Sequence, residues 1–147
     1  MTEPVVRQLG VGDRDGWAAL RHALWPHHSI EELRDELSDM LKGDFAGFGA
    51  FDGATPVGFV EVSQRLYGDG CDTAPVAWLE GILVLPTFRR QGIARRLVAA
   101  VEAWARARGL TELGSDAELD NVVSRLSHAR WGFSETERVV RFRKGLA

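Results

Sequence analysis

Between Val76 and Leu85 the chain reads VAWLEGILVL, an apolar run whose only charged member is Glu80. A run of that composition suits a strand covered on both faces. Pro86-Thr87-Phe88, two arginines, Gln91 and Gly92 follow, and then Ile93, Leu97, Val101 and Trp104 recur at helical spacing as far as Arg108-Gly109. A buried strand that feeds a glycine turn and a long amphipathic helix commits the chain to a strand-helix-strand crossover, with the next strand parallel to the first. Glu112 to Asp116 is predicted to be that strand.

The flanking segments complete the pattern. Val5-Val6 begins a short strand, and Gly12-Asp13 offers a turn and N-cap for a helix carrying Trp17, Leu20 and Leu24, closed by Pro26. Ser29-Ile30-Glu31-Glu32 is a capping box for a second helix of about three turns, with Ile30, Leu33, Leu37 and Met40 on one face. FAGFGAFDGATPVGFVEVSQRL reads as a hairpin turning at Asp52-Gly53, the alternation Val60, Glu61, Val62, Ser63 marking its second strand. Asp120 is placed to cap a last helix bearing Val122, Val123 and Leu126, ended by Trp131-Gly132-Phe133, and Glu137 to Arg143 is predicted to be the final strand. The order is α+β, a mixed and mostly antiparallel sheet flanked by helices. No repeat or linker divides it, so residues 1–147 are expected to form a single domain.

Charge and cysteine usage narrow the function. A net charge of -3 with pI near 5.8 argues against a general nucleic-acid binder, which needs a broad basic surface. One cysteine, Cys71, builds neither a disulfide framework nor a cysteine metal cluster, and it reads as an inert small hydrophobe in a reducing cytoplasm. The N-terminus has no apolar h-region, and no 18-residue apolar run is present, so neither a signal peptide nor a membrane span is expected. His22, His27, His28 and His128 come with no coherent ligand set, so no metal is expected.

Charge must therefore be read locally, at the turn. The first N–H groups of a helix are unpaired and, with the helix dipole, favour an anion. Gly92 allows close backbone approach, and the flanking arginines add charge-assisted bonds, which together suit a pyrophosphate. Arg89-Arg90-Gln91-Gly92-Ile93-Ala94 resembles the R/Q-x-x-G-x-G/A signature of the GNAT acetyltransferases, whose loop and helix start bind the pyrophosphate of acetyl-CoA. The resemblance extends over nearly the whole chain. LRHALWP, YGDGCDTAPVAWLEGILVLPTFRRQGIARRL, SDAELDN and HARWGFSETERVVRFRK are similar to segments of aminoglycoside 6'-N-acetyltransferases.

The resemblance implies the GNAT fold, acetyl-CoA as cosubstrate, and direct transfer in a ternary complex to the 6'-amine of an aminoglycoside, with antibiotic resistance as the consequence. An alkyl amine has a pKa of about 10.4, so a base or a nearby field must help it lose a proton. Glu80 is the leading candidate; alternatively it is an edge-facing carboxylate paired with an arginine. Asp116 is the competing base or substrate anchor. The departing CoA thiolate is helped by an acid. Family members carry an asparagine that contacts the cofactor and, seven residues on, a tyrosine for that task. Asn121 fits the first position, but His128 occupies the second, and the only tyrosine, Tyr67, lies elsewhere. His128 is thus either the acid or a residue on a solvated helix face.

Other expectations follow from the same resemblance. A backbone N–H within Ile82, Leu83 and Val84 would stabilise the oxyanion, and that strand would bind the pantetheine arm. Arg89 to Arg95, including Gln91, Ile93 and Ala94, would hold the pyrophosphate. Trp25 and Tyr67 would wall the substrate, with Asp116, Ala117 and Glu137 as polar contacts. Glu80, Asp116, Glu135 and Glu137 would supply the carboxylates that a polycation requires. The plainer readings are packing at a helix end for Trp25, cross-strand pairing with Arg138, Arg141 and Arg143 for the Glu135-Thr136-Glu137 acids, and dipole complementation for Arg106 and Arg108. A homodimer with C-terminal strands contributing across its interface is implied as well. The competing functions are acetylation of a polyamine or a protein amine, and a non-catalytic module that binds acetyl-CoA as a signal.

Overall fold

A computed structural model describes residues 3–147. The chain divides between Ser115 and Asp116 into two compact units. The first holds the sheet. Its strands are β1 (Val5–Gln8), β2 (Phe45–Asp52), β3 (Thr55–Arg65), β4 (Val76–Val84) and β5 (Leu113–Gly114). They lie in the order β1-β2-β3-β4-β5, antiparallel except for the parallel pair β4/β5. Helices α1 (Arg14–Leu24), α2 (Ile30–Met40) and α3 (Ile93–Ala107) complete the unit. The expected mixed sheet and crossover are present.

The α1/α2 side of the core is built from Leu9, Trp17, Leu20 and Leu37 against Phe59 of β3. Side chains alternate along a strand, so Val60, Val62 and Gln64 point to the other face. There Arg108, just past α3, donates to Gln64 at 3.2 Å and to Asp44 at 2.9 Å. Arg108 is therefore tied to the β2 end of the sheet and stacks over Trp104, 4.3 Å from its centroid, beyond any dipole role. Ile93, Leu97, Val98 and Val101 of α3 are buried, as their spacing demands. Ser29 caps α2 by accepting from the Glu32 N–H at 3.1 Å, whereas Ile30 is 45% exposed and adds little to the core.

The second unit contains α4 (Val122–Arg130) and an extended tail. Asn121, not the expected Asp120, caps α4, its side-chain oxygen accepting from the Ser124 N–H at 3.1 Å. Glu137 to Arg143 forms no strand. Its alternation is real, but a strand exists only where its backbone groups find a ladder partner, and Val139, Val140 and Phe142 are exposed in this chain. Among the described residues no helix is long and apolar enough to cross a membrane.

Candidate active site

β4 carries an irregularity at the residue of most chemical interest. Gly81 pairs with Glu61 of β3 and Leu79 pairs with Val62, which leaves Glu80 as an extra, unpaired residue in a bulge. On its other side β4 meets β5 only at Ala77 and Trp78. Beyond those residues the sheet opens, and the backbone of Ile82, Leu83 and Val84 has no strand neighbour on that edge among the described residues. The strands thus splay beside Glu80, and an open edge of this kind accepts an extended ligand as an added strand.

Gly81 is required by close approach. A Cβ there would lie 2.6 and 2.7 Å from ring atoms of Trp25. The indole thus sits directly on β4 next to Glu80, edge-on to Phe59 with centroids 6.2 Å apart. Trp25 is both a packing residue at the end of α1 and a wall beside the bulge. The Glu80 carboxylate accepts from Arg65 Nη2 at 2.6 Å and Nε at 3.1 Å, and from the Ser63 hydroxyl. Arg65 lies 4.5 Å from the centroid of Trp78. The arginine-paired alternative for Glu80 is therefore realised, at a carboxylate that still stands at the mouth of the sheet.

A second carboxylate lies one step further in. Glu61, the polar half of an alternating pattern by its sequence, is fully buried. Its carboxylate accepts from Trp17 Nε1 at 2.8 Å, from Arg21 Nε at 2.8 Å and from Arg21 Nη2 at 3.3 Å. Arg21 in turn donates to the Leu33 carbonyl at 2.8 Å and to Glu36 at 3.0 Å, and it lies 5.1 Å from the Trp25 ring centroid. Burial pushes the Glu61 carboxyl above its ordinary range, the nearby Glu80 charge adds to this, and Arg21 and the Trp17 N–H pull against it. The signal for this network was an arginine one helical turn after Trp17 on the apolar face of α1, facing an acid bracketed by valines.

The turn after β4 has the backbone that anion binding requires. Arg89 Nε donates to the Val84 carbonyl at 2.9 Å, bracing the turn against the strand end. Arg90 at φ 63° and Gly92 at φ 77° are both left-handed, and α3 begins at Ile93 with Arg96 N donating to the Gly92 carbonyl at 3.1 Å. A left-handed arginine costs about 1–2 kcal/mol. Nothing lies within 4 Å of a Cβ built on Gly92, so the space beside the turn is open. Ile93 is buried and anchors the helix start, Ala94 is half-buried, and Arg90, Gln91 and Arg95 are exposed. Open space, N–H groups and arginines fit a diphosphate.

Tyr67 stands 73% exposed in the loop after β3. That loop is pinned at its far end, where the Glu112 carboxylate accepts from the Asp72 N–H at 2.8 Å and from the Thr73 N–H and hydroxyl. These donors hold the Glu112 carboxyl below its ordinary range. Burial and neighbouring acids push the Cys71 thiol up, which makes it a poor nucleophile. A separate cleft opens beside the β2–β3 turn, lined by Leu9, Trp17, Phe51 and Pro56. Its one acid, Asp13, is bound by Arg7 at 2.8 Å and offers little to a polar substrate.

The remaining expected residues belong to the second unit. Asp116 is exposed and 3.5 Å from Arg141, and Ala117 is exposed. Within α4, His128 Nδ1 lies 2.7 Å from the Ser124 carbonyl, which can only accept, so this nitrogen carries the hydrogen and Nε2 is left for other partners. The imidazole is half-buried between Trp131 and Phe133, at 5.3 and 5.2 Å between centroids, not on a solvated face. Glu135 pairs with Arg138 locally, not across strands, and that partner holds its carboxyl down; Glu137 is exposed. Among the described residues no cluster of three or more His, Cys, Asp or Glu could hold a metal ion.

Comparison with known proteins gives a consistent result. The Acetyltransferase (GNAT) family matches residues 15–133. Aminoglycoside N(6')-acetyltransferase type 1 of Salmonella typhimurium is 40% identical over 141 residues, covering 95% of this chain and 97% of that protein. The protein of the same name from Serratia marcescens is 47% identical over 137 residues, covering 90% and 92%. The solved structure of AAC(6')-Iy in complex with the bisubstrate analogue CoA-S-monomethyl-acetylneamine matches at a TM-score of 0.93 and 38% identity, over 99% of this chain and 100% of that one. On its fold and these matches, the chain belongs to the GNAT family of acetyltransferases.

Proposed function

We propose that this chain transfers the acetyl group of acetyl-CoA to the 6'-amine of an aminoglycoside, directly, in a ternary complex. The observation that carries the reading is the continuity of one strand: Glu80 in the β4 bulge, then the unpaired edge at Ile82 to Val84, then the turn at Arg90 and Gly92. The relatives named above act on aminoglycosides by their names, and the bisubstrate ligand of AAC(6')-Iy joins CoA to an aminoglycoside fragment, which supports the same pairing of substrates here.

Acetyl-CoA supplies an acyl thioester, and the chain's residues do the rest. Arg89, Arg90 and the first N–H groups of α3 hold the diphosphate, and the 82–84 backbone orients the arm and donates to the carbonyl oxygen. Glu80 anchors the substrate ammonium and helps it lose a proton, and Asp116 is the competing base or substrate anchor. Trp25 and Tyr67 wall the sugar, and Ala117, Glu135 and Glu137 supply further contacts. Asn121 contacts the cofactor, and His128 Nε2 is the acid for the leaving thiolate. The chain acts as one catalytic domain, works in the cytoplasm, where its lone cysteine stays reduced, and confers aminoglycoside resistance. Two chains pair through the exposed apolar residues of the C-terminal tail.

Steady-state thiol release with a kanamycin-type compound, with spermine and with lysine peptides tests the reading. The kanamycin-type compound is expected to give the highest kcat/KM. No turnover of any aminoglycoside would contradict it.

A further inference from the structure

Glu61 and Glu80 are neighbouring carboxylates, and each has its own arginine. The pairs differ in exposure. Arg21 and Glu61 are 4% and 1% exposed, whereas Arg65 and Glu80 are 44% and 23%. A sealed pair cannot exchange partners, because removing one member leaves a bare charge in the core. An exposed pair is weak and open to competition from other cations. Arg65 also has a second partner, since its guanidinium lies 4.5 Å over the Trp78 ring.

The acceptor positions of Glu80 lead to the same place. A carboxylate offers about four, and Arg65 Nη2, Arg65 Nε and the Ser63 hydroxyl already use three of them. One position stays open, and an arriving ammonium, which carries three donors of its own, competes with the resident donors for the rest. The exposed guanidinium is the one that can leave without opening the core.

We propose that Arg65 is the resident counter-cation of Glu80 and that the ammonium of the cationic substrate takes its place, which makes Arg65 a determinant of substrate affinity and charge selectivity. This rests on the reading that Glu80 receives the amine. The exchange is cation for cation, so the two neighbouring carboxylates stay neutralised throughout. An uncharged analogue cannot make that exchange and is rejected, because it would leave Arg65 in place across the mouth of the sheet.

The test is steady-state kinetics of the full-length enzyme with a kanamycin-type substrate, on Arg65→Gln, Arg65→Lys and Glu80→Gln. Removing an exposed competitor should lower the aminoglycoside KM of Arg65→Gln by about three- to fivefold while the acetyl-CoA KM stays within about twofold. Arg65→Lys, which keeps the charge, should stay close to the parent. Methylguanidinium should compete with the aminoglycoside more strongly in Arg65→Gln than in the parent, by refilling the vacated position. An unchanged or raised aminoglycoside KM in Arg65→Gln, with Glu80→Gln losing affinity, overturns the role of Arg65 alone. A Glu80→Gln enzyme that matches the parent overturns the reading beneath it and the proposal together.

Discussion

Glu80 was conspicuous in the sequence because it is a lone charge in an apolar run. Its neighbours were not. Whether Glu61 points into a core or out of it depends on which helix covers β3, and no local pattern in VGFVEVSQRL encodes that. Arg65 was equally silent, because its partner lies fifteen residues away across a bulge. Gly92 was legible, since a glycine between arginines ahead of a helical pattern has few other uses, and the structure adds that its conformation is left-handed and its surroundings empty. Gly92→Asp sets both a strained backbone and a negative charge against the diphosphate. Its acetyl-CoA Kd, measured by calorimetry, is expected to rise about tenfold or more, and an unchanged Kd would remove the turn from the site.

At the scale of elements, the strand-turn-helix from Val76 to Ala107 followed directly from hydrophobic spacing, because the first half of the strand, Val76 to Leu79, is buried on both faces and the helix on one, while Glu80 to Leu83 are only half-buried where the sheet opens. The last strand did not form as expected, since a strand needs a partner that periodicity cannot supply. Two elements are fixed by ionic contacts that bear testing. Arg21 joins α1 and α2 to β3 through Glu61 and the Leu33 carbonyl. Arg21→Ala strands a buried carboxylate and is expected to cost about 3–5 kcal/mol in urea unfolding; a loss comparable to that of an exposed arginine would show that the pair is incidental. Glu112 pins the loop that follows Tyr67. Its folded pKa lies below the ordinary 4.5, so its ionised form favours the fold. That contribution is complete above pH 4.5 and is lost as pH falls through the lower folded value. The Asp72 and Thr73 amide protons should shift in that acid window by NMR, and Glu112→Gln should abolish the titration. Shifts centred above pH 4.5 would contradict the sign.

For the whole molecule, the family, the first five strands of the sheet and the crossover were legible, whereas assembly was not, because a tail without a partner looks the same in sequence as one with a partner. Val139, Val140, Phe142 and Leu146 are exposed at 61%, 78%, 92% and 89%, an apolar cost that pairing of two chains would relieve. Sedimentation should find a dimer, and truncation after Thr136 should give a monomer; a full-length monomer would contradict the pairing. The central claim concerns one nitrogen atom. The full chain, acetyl-CoA and a kanamycin-type substrate are combined, and the acetyl group in the product is located by NMR. The account predicts acetylation at the 6'-nitrogen, and an acetyl group on any other ring amine would contradict it.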